Sequence, residues 1–322
     1  MKKEFKKYII DGYLSSLEQN FERESYVQLG EIIKCADNNL DFLEFNYPSW
    51  ITNTIIEQNN VDLKSLEQII LYIEKVLCKF IVIKIVEKIT LKDFSTILEI
   101  IENHNIHRCL YLLNYTQEFY TDEFLKIILN SSRINGIVFF NSPFDKNLED
   151  FIFYYQSNFS KTKKISKGEF TSNRILYSES QHHNTYLNRK LYISPTGEIK
   201  NAPETEETFG YIQDIKSEVE LKQIISTSAF QKYWFVHKDL IDVCKECEFR
   251  HMCVDNRVPI ERAKDEWFHS LECNYNPYIS KWEGEEGFLT LAECGVNSNE
   301  LGFSINHEKI NQINLKIETE IS

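Results

Sequence analysis

The sequence predicts an α/β chain: a degenerate, partial (βα) barrel of TIM-like rhythm, followed by a small α+β domain built on a four-cysteine metal site. Strand-like and helix-like stretches alternate from residue 39 to 150 with a strand-to-strand repeat of about 28 residues, the mark of βα units around a parallel sheet. A hairpin pattern, LYIS, then Pro195-Thr196-Gly197, then EIKN, opens a second region of different texture. Four of the eight cysteines fall between Cys244 and Cys273, while Cys35, Cys78, Cys109 and Cys294 stand alone.

Taken in order, residues 1 to 38 carry two short helical patterns, Tyr8 to Gln19 and Tyr26 to Ile33. They are too few to bury a core of their own. FLEF at 42 to 45 reads as the first strand and Pro48 to Gln58 as the helix after it. A helix over Leu63 to Leu77, the strand FIVIKI at 80 to 85, a helix over Leu91 to Asn103, the strand CLYLLN at 109 to 114, a helix over Thr121 to Leu129 and the strand GIVFFN at 136 to 141 follow. FIFYYQ and RILYSES read as β-rich, joined by the basic loop SNFSKTKKISKGEF, where the domain boundary is expected. Beyond the hairpin come a helix from Val219 to Ser226, the cysteine segment, and a β-containing tail over the last thirty residues. The predicted division is therefore 1–38, 39–165 and 166–322.

Composition limits the function classes. With 322 residues and 42% hydrophobic content the chain can bury sizeable cores, and a net charge of −13 argues against a phosphate backbone as partner. A basic or neutral peptide is better tolerated. No apolar run reaches the roughly twenty residues of a bilayer span. The start MKKEFKKYIIDGYL lacks the apolar core and cleavage site of a secretory signal, so the expected location is cytoplasmic. No Gly-rich phosphate loop, Ser-His-Asp set or H-E-x-x-H occurs.

Cys244 and Cys247 have the spacing by which one tight turn offers two thiolates to one metal centre; Cys253 follows as a third ligand and Cys273 as a fourth. Four thiolates suit zinc or an iron–sulfur cluster alike, and a pair of disulfides is disfavoured in a reducing compartment. Cys294 is an alternative ligand. His182 and His183 form a loop pair that could serve a metal or proton transfer. His237, His251 and His269 flank the cysteines, and Arg250 and Arg257 could offset thiolate charge.

The order C-x2-C-x5-C with a lone cysteine about twenty residues on, embedded in CEFRHMCVDNRVP and CNYNPYISKW, resembles the SPASM domains that follow the barrel of radical-SAM peptide maturases. It is most similar to the maturases of grasp-with-spasm systems, which act with an ATP-grasp ligase on a ribosomally made precursor peptide. The resemblance implies that Cys244, Cys247, Cys253 and Cys273 hold one auxiliary 4Fe-4S cluster. It also implies a partial barrel for the preceding segment. Two departures narrow this. The family's second SPASM cluster needs thiolates where this chain has Tyr186, Ala202 and Arg257, so only one cluster is expected. The C-x3-C-x2-C triplet that binds the initiating cluster is absent from the chain, and the first βα loop, expected at Asn46 to Trp50, holds no cysteine. The expected function is thus binding of the precursor peptide, the ligase or both, without cleavage of S-adenosylmethionine. The alternative is a non-redox interaction protein with a structural four-cysteine zinc site.

Overall fold

The computed structural model describes residues 50–148, 151–157, 170 and 174–321. The expectations for FLEF, for the two N-terminal helical patterns and for Cys35 fall outside them. The described chain forms two compact units, each discontinuous in sequence.

The first unit, within Tyr47–Lys161 and Arg189–Lys232, is built on one mixed, parallel-rich sheet. Its strands are β1 (Asn53–Gln58), β2 (Phe80–Ile85), β3 (Arg108–Asn114), β4 (Ile134–Phe140), β5 (Lys146–Leu148), β6 (Ile152–Tyr154), β7 (Lys190–Ile193) and β8 (Ile199–Lys200), in the order β5-β6-β4-β3-β2-β1-β7-β8. The six inner strands pair in parallel; β5 and β8 close the two ends as antiparallel partners. Among the described residues β5 and β8 are the two end strands and do not pair with each other.

Helices α1 (Leu63–Lys75), α2 (Leu91–Asn103) and α3 (Asp122–Leu129) connect the parallel strands. In α1 the buried Leu66, Ile69, Ile70 and Ile73 recur at helical spacing, and Asp62 caps the first turn by accepting from Ser65 N at 3.0 Å. Thr90 and Asp93 form a reciprocal capping box on α2, and Thr121 caps α3. Phe94 of α2 stands edge-on to Tyr111 and Phe119, and Phe119 stacks on Phe139, which stacks on Tyr154. These rings form the centre of the sheet unit's core.

Residues Pro48 to Gln58 correct the expectation. Instead of a helix, Asn53–Gln58 is a central strand whose burial alternates strictly, with Thr54, Ile56 and Gln58 inward. The run Ile51, Thr52, Thr54, Ile55 and Ile56 is rich in β-branched side chains, which lose rotamer freedom in a helix and fit a pleated surface. The hairpin forms as expected, with Gly197 at φ +85°, where a Cβ would stand 2.2 Å from Gln213 Oε1. Its first strand, however, pairs in parallel with β1, so residues 189–232 belong with the sheet. The helix expected near Val219 is α5 (Glu218–Ile225) of the same unit.

The second unit lies within Thr162–Asn188 and Tyr233–Ser322. It holds α4 (Arg174–Ser180), the hairpins β9–β10 (Ile260–Ala263, Glu266–Phe268), β11–β12 (Tyr275–Asn276, Lys281–Trp282) and β13–β14 (Val296–Asn299, Gly302–Ile305), and α6 (His307–Ile321). RILYSES is thus a helix, not a strand: small Ser178 and Ser180 are its buried residues, while Ile175 is 56% exposed. The tail is also part helix, because Ile310, Ile313 and Ile317 sit three and four residues apart and cover a cluster of Tyr278, Ile279, Cys294 and Val296.

Candidate metal centre

The cysteine segment begins at a fixed corner. Buried Asp242 accepts from Arg262 Nη1 and Nη2 at 3.0 and 2.9 Å, from Lys245 Nζ at 3.1 Å and from Ser298 Oγ at 3.3 Å, while its amide donates to Trp267 O at 2.8 Å. Val243 follows at φ 65°, ψ −49°, and Cys244 N closes a tight turn onto Asp242 O at 2.7 Å. A β-branched residue at positive φ is strained and persists only where its surroundings hold it. This turn directs the chain into the short 3-10 helix Cys244–Glu246, after which Cys247 N donates to Cys244 O at 2.9 Å.

Cys247 and Cys253 are anchored through their backbones. Arg250 binds Asp239 Oδ1 through Nε at 2.6 Å and the Cys247 carbonyl through Nη1 at 3.1 Å. Thr185 Oγ1 donates to the Cys253 carbonyl at 2.6 Å. Cys247, Cys253 and Cys273 pack against an aromatic cluster of Phe249, Tyr275 and Trp282. Phe249 stacks on Phe170 at 4.5 Å, and the Tyr275 hydroxyl donates to Glu248.

All four cysteines are free thiols, and Cys244 lies within electrostatic reach of each of the other three. Burial raises the Cys247 and Cys273 thiols above the usual range and pushes Cys253 up to about 12. A bound cation reverses that preference, since metal ligation takes the thiolate form. Among the described residues no three of these sulfurs lie within 4.8 Å of one another. The donor group that does so is Cys244 Sγ, an Asp255 oxygen and a His269 nitrogen.

Asp255 and Lys238 escaped the sequence reading. Lys238, 3% exposed, donates to Asp255 Oδ2 at 2.8 Å, and Asp255 is 2% exposed. Arg257 grips the same carboxylate through Nε and Nη2, 2.6 Å at the closest, and reaches Leu271 O through Nη1 at 2.6 Å. Burial works against the charge on Lys238, yet Asp255, Cys244 and Cys253 keep its pKa above the ordinary lysine value. Burial likewise disfavours the Arg257 charge, but Asp255 first and then Cys244 and Cys273 hold it in place. One anion matched to two cations leaves a buried positive charge beside the thiols. The D-x-R spacing of Asp255 and Arg257, which sets the two side chains on one side of an extended segment, was a legible sign of this pair.

The remaining candidates have other partners. Cys294 lies in the Tyr278 cluster, where Asn276 Nδ2 donates to its sulfur at 3.3 Å. His182 and His183 follow α4, both amides bonded to Glu179 O, with the His183 ring against Phe235. His237 Nδ1 faces Asp239 Oδ2 at 3.3 Å, and His251 Nδ1 meets Ser180 Oγ at 3.1 Å. Of the positions that would carry a second cluster, Ala202 is fully buried with its amide bonded to Thr205 Oγ1, and Arg257 is committed to Asp255. Among the described residues no helix is long and apolar enough to cross a membrane. No family model, curated protein or solved structure matches the chain.

Proposed function

We propose that this chain is a SPASM-type protein of a ribosomal peptide modification system, in which Cys244, Cys247, Cys253 and Cys273 hold one 4Fe-4S cluster and the chain binds the precursor peptide or its ATP-grasp ligase in the cytoplasm. The observation that carries the reading is the gathering of four free cysteines beside a buried surplus cation. A cluster carried by four thiolates is anionic, and Lys238 and Arg257 supply the matching charge. Four thiolates can hold either a cubane or a zinc ion, and iron and sulfide content separates the two.

The cluster would supply redox capacity or rigidity. The chain's own residues fix the cysteine backbones, exclude water through Phe249, Tyr275 and Trp282, and balance charge. With β1 as a strand, the βα loop after it runs from Asn59 to Asp62 and contains no cysteine. The acidic surface suits a basic or neutral peptide.

Reconstituted protein incubated with S-adenosylmethionine and the peptide should form no 5′-deoxyadenosine above a Cys244→Ala control, and a pull-down should retain peptide or ligase. Cluster-dependent 5′-deoxyadenosine would overturn the binding role. A second reading, a structural zinc site, is favoured by the close approach of Cys244, Asp255 and His269. Against it, both Asp255 oxygens already receive cationic donors. A colourless protein with one zinc per chain would decide for it.

A further inference from the structure

Resting on the cluster reading, we propose that His269 is a hydrogen-bond donor to the Cys244 sulfur and thereby raises the reduction potential of the centre. His269 is the odd member of the buried polar group. Its side chain is 4% exposed, yet neither ring nitrogen has a hydrogen-bond partner. Asp255 Oδ2 stands 3.5 Å from its Nε2, and the Val258 backbone also acts on the ring. A buried imidazole left in that state loses the full cost of its desolvation, so such groups are uncommon.

One acceptor remains close by. A ring nitrogen of His269 lies within 4.8 Å of Cys244 Sγ, and a thiolate is a stronger acceptor than the thiol. Asp255 cannot serve the ring instead, because its oxygens take Lys238 and Arg257. Ligation of the same iron by His269 and Cys244 is excluded by cubane chemistry, in which each iron has one protein ligand. The ring therefore acts on the centre through the sulfur. Hydrogen bonds to cluster sulfurs favour the reduced, more negative state.

The test uses the full-length, anaerobically purified protein. Iron and sulfide are measured first, then the reduction potential, for wild type, His269→Leu and His269→Gln. Both variants should keep their iron. His269→Leu should have a lower potential, and His269→Gln, whose amide can still donate, should return towards wild type. Pulsed EPR of reduced protein with 15N-histidine should show a weakly coupled nitrogen that the Leu variant lacks. A strongly coupled nitrogen would make His269 a ligand, and no coupling with unchanged potentials would remove it from the site; either overturns the inference while leaving the cluster in place. A protein with zinc or no metal overturns the cluster reading and this inference together.

Discussion

Lys238, Asp255 and Arg257 are a case in which burial alone would penalise every member. A surplus cation favours the anionic form of the neighbouring thiols, which links the triad to metal loading. Lys238→Met is therefore expected to weaken metal retention about tenfold, the size typical of residues that support ligands, as read by competition with a chelator. Retention equal to wild type would mean that the triad serves only packing. At Glu74 stability depends on pH. Hydrogen bonding to His104 Nδ1, at 2.8 Å, holds its carboxyl below the usual value. A depressed folded pKa gives stability above the unfolded value, about 4.3, that is lost as pH falls through the folded one. Glu74→Gln should thus lower the melting temperature near neutral pH, and the deficit should shrink below about pH 4. A deficit independent of pH would assign the loss to something other than charge.

Among elements, the legible ones carried both periodicity and punctuation. FIVIKI and the helix from Leu91 to Asn103 agree with the sequence reading because an apolar pattern, a cap and a turn coincide there. Asn53–Gln58 departs from the expected helix, and its parallel partners β2 and β7 come from 27 and 137 residues downstream, a pairing no local pattern reveals. The same holds for the hairpin, legible as a hairpin but not as a continuation of the sheet. In the candidate site the four cysteines were legible from spacing. Lys238 and Asp255 were not, because their pairing arises from tertiary proximity across 17 residues. Two changes test the element assignments. Thr90→Ala removes a capping box and should cost about 1 kcal/mol in denaturant unfolding. Ile56→Ala opens the centre of β1 and should cost about 2 to 5 kcal/mol. A negligible cost at Ile56 would contradict a central strand.

At the scale of the whole molecule, the two units have different sources of stability. The sheet unit has a core of its own, from Ile56 and Ile70 to Phe94, Tyr111 and Phe139. The cysteine unit is held by short hairpins and small clusters, the setting in which a metal contributes directly to folding. Chelation should accordingly raise deuterium uptake across residues 238 to 282, with the amides of β1 to β4 still protected. The most direct test of the central claim is anaerobic iron and acid-labile sulfide analysis of the purified protein. The account predicts about four irons and four sulfides per chain with broad absorbance near 400 nm, all lost in Cys244→Ala, Cys247→Ala, Cys253→Ala or Cys273→Ala. Full metal content in those variants, about eight irons after reconstitution, or a colourless protein with one zinc would contradict it.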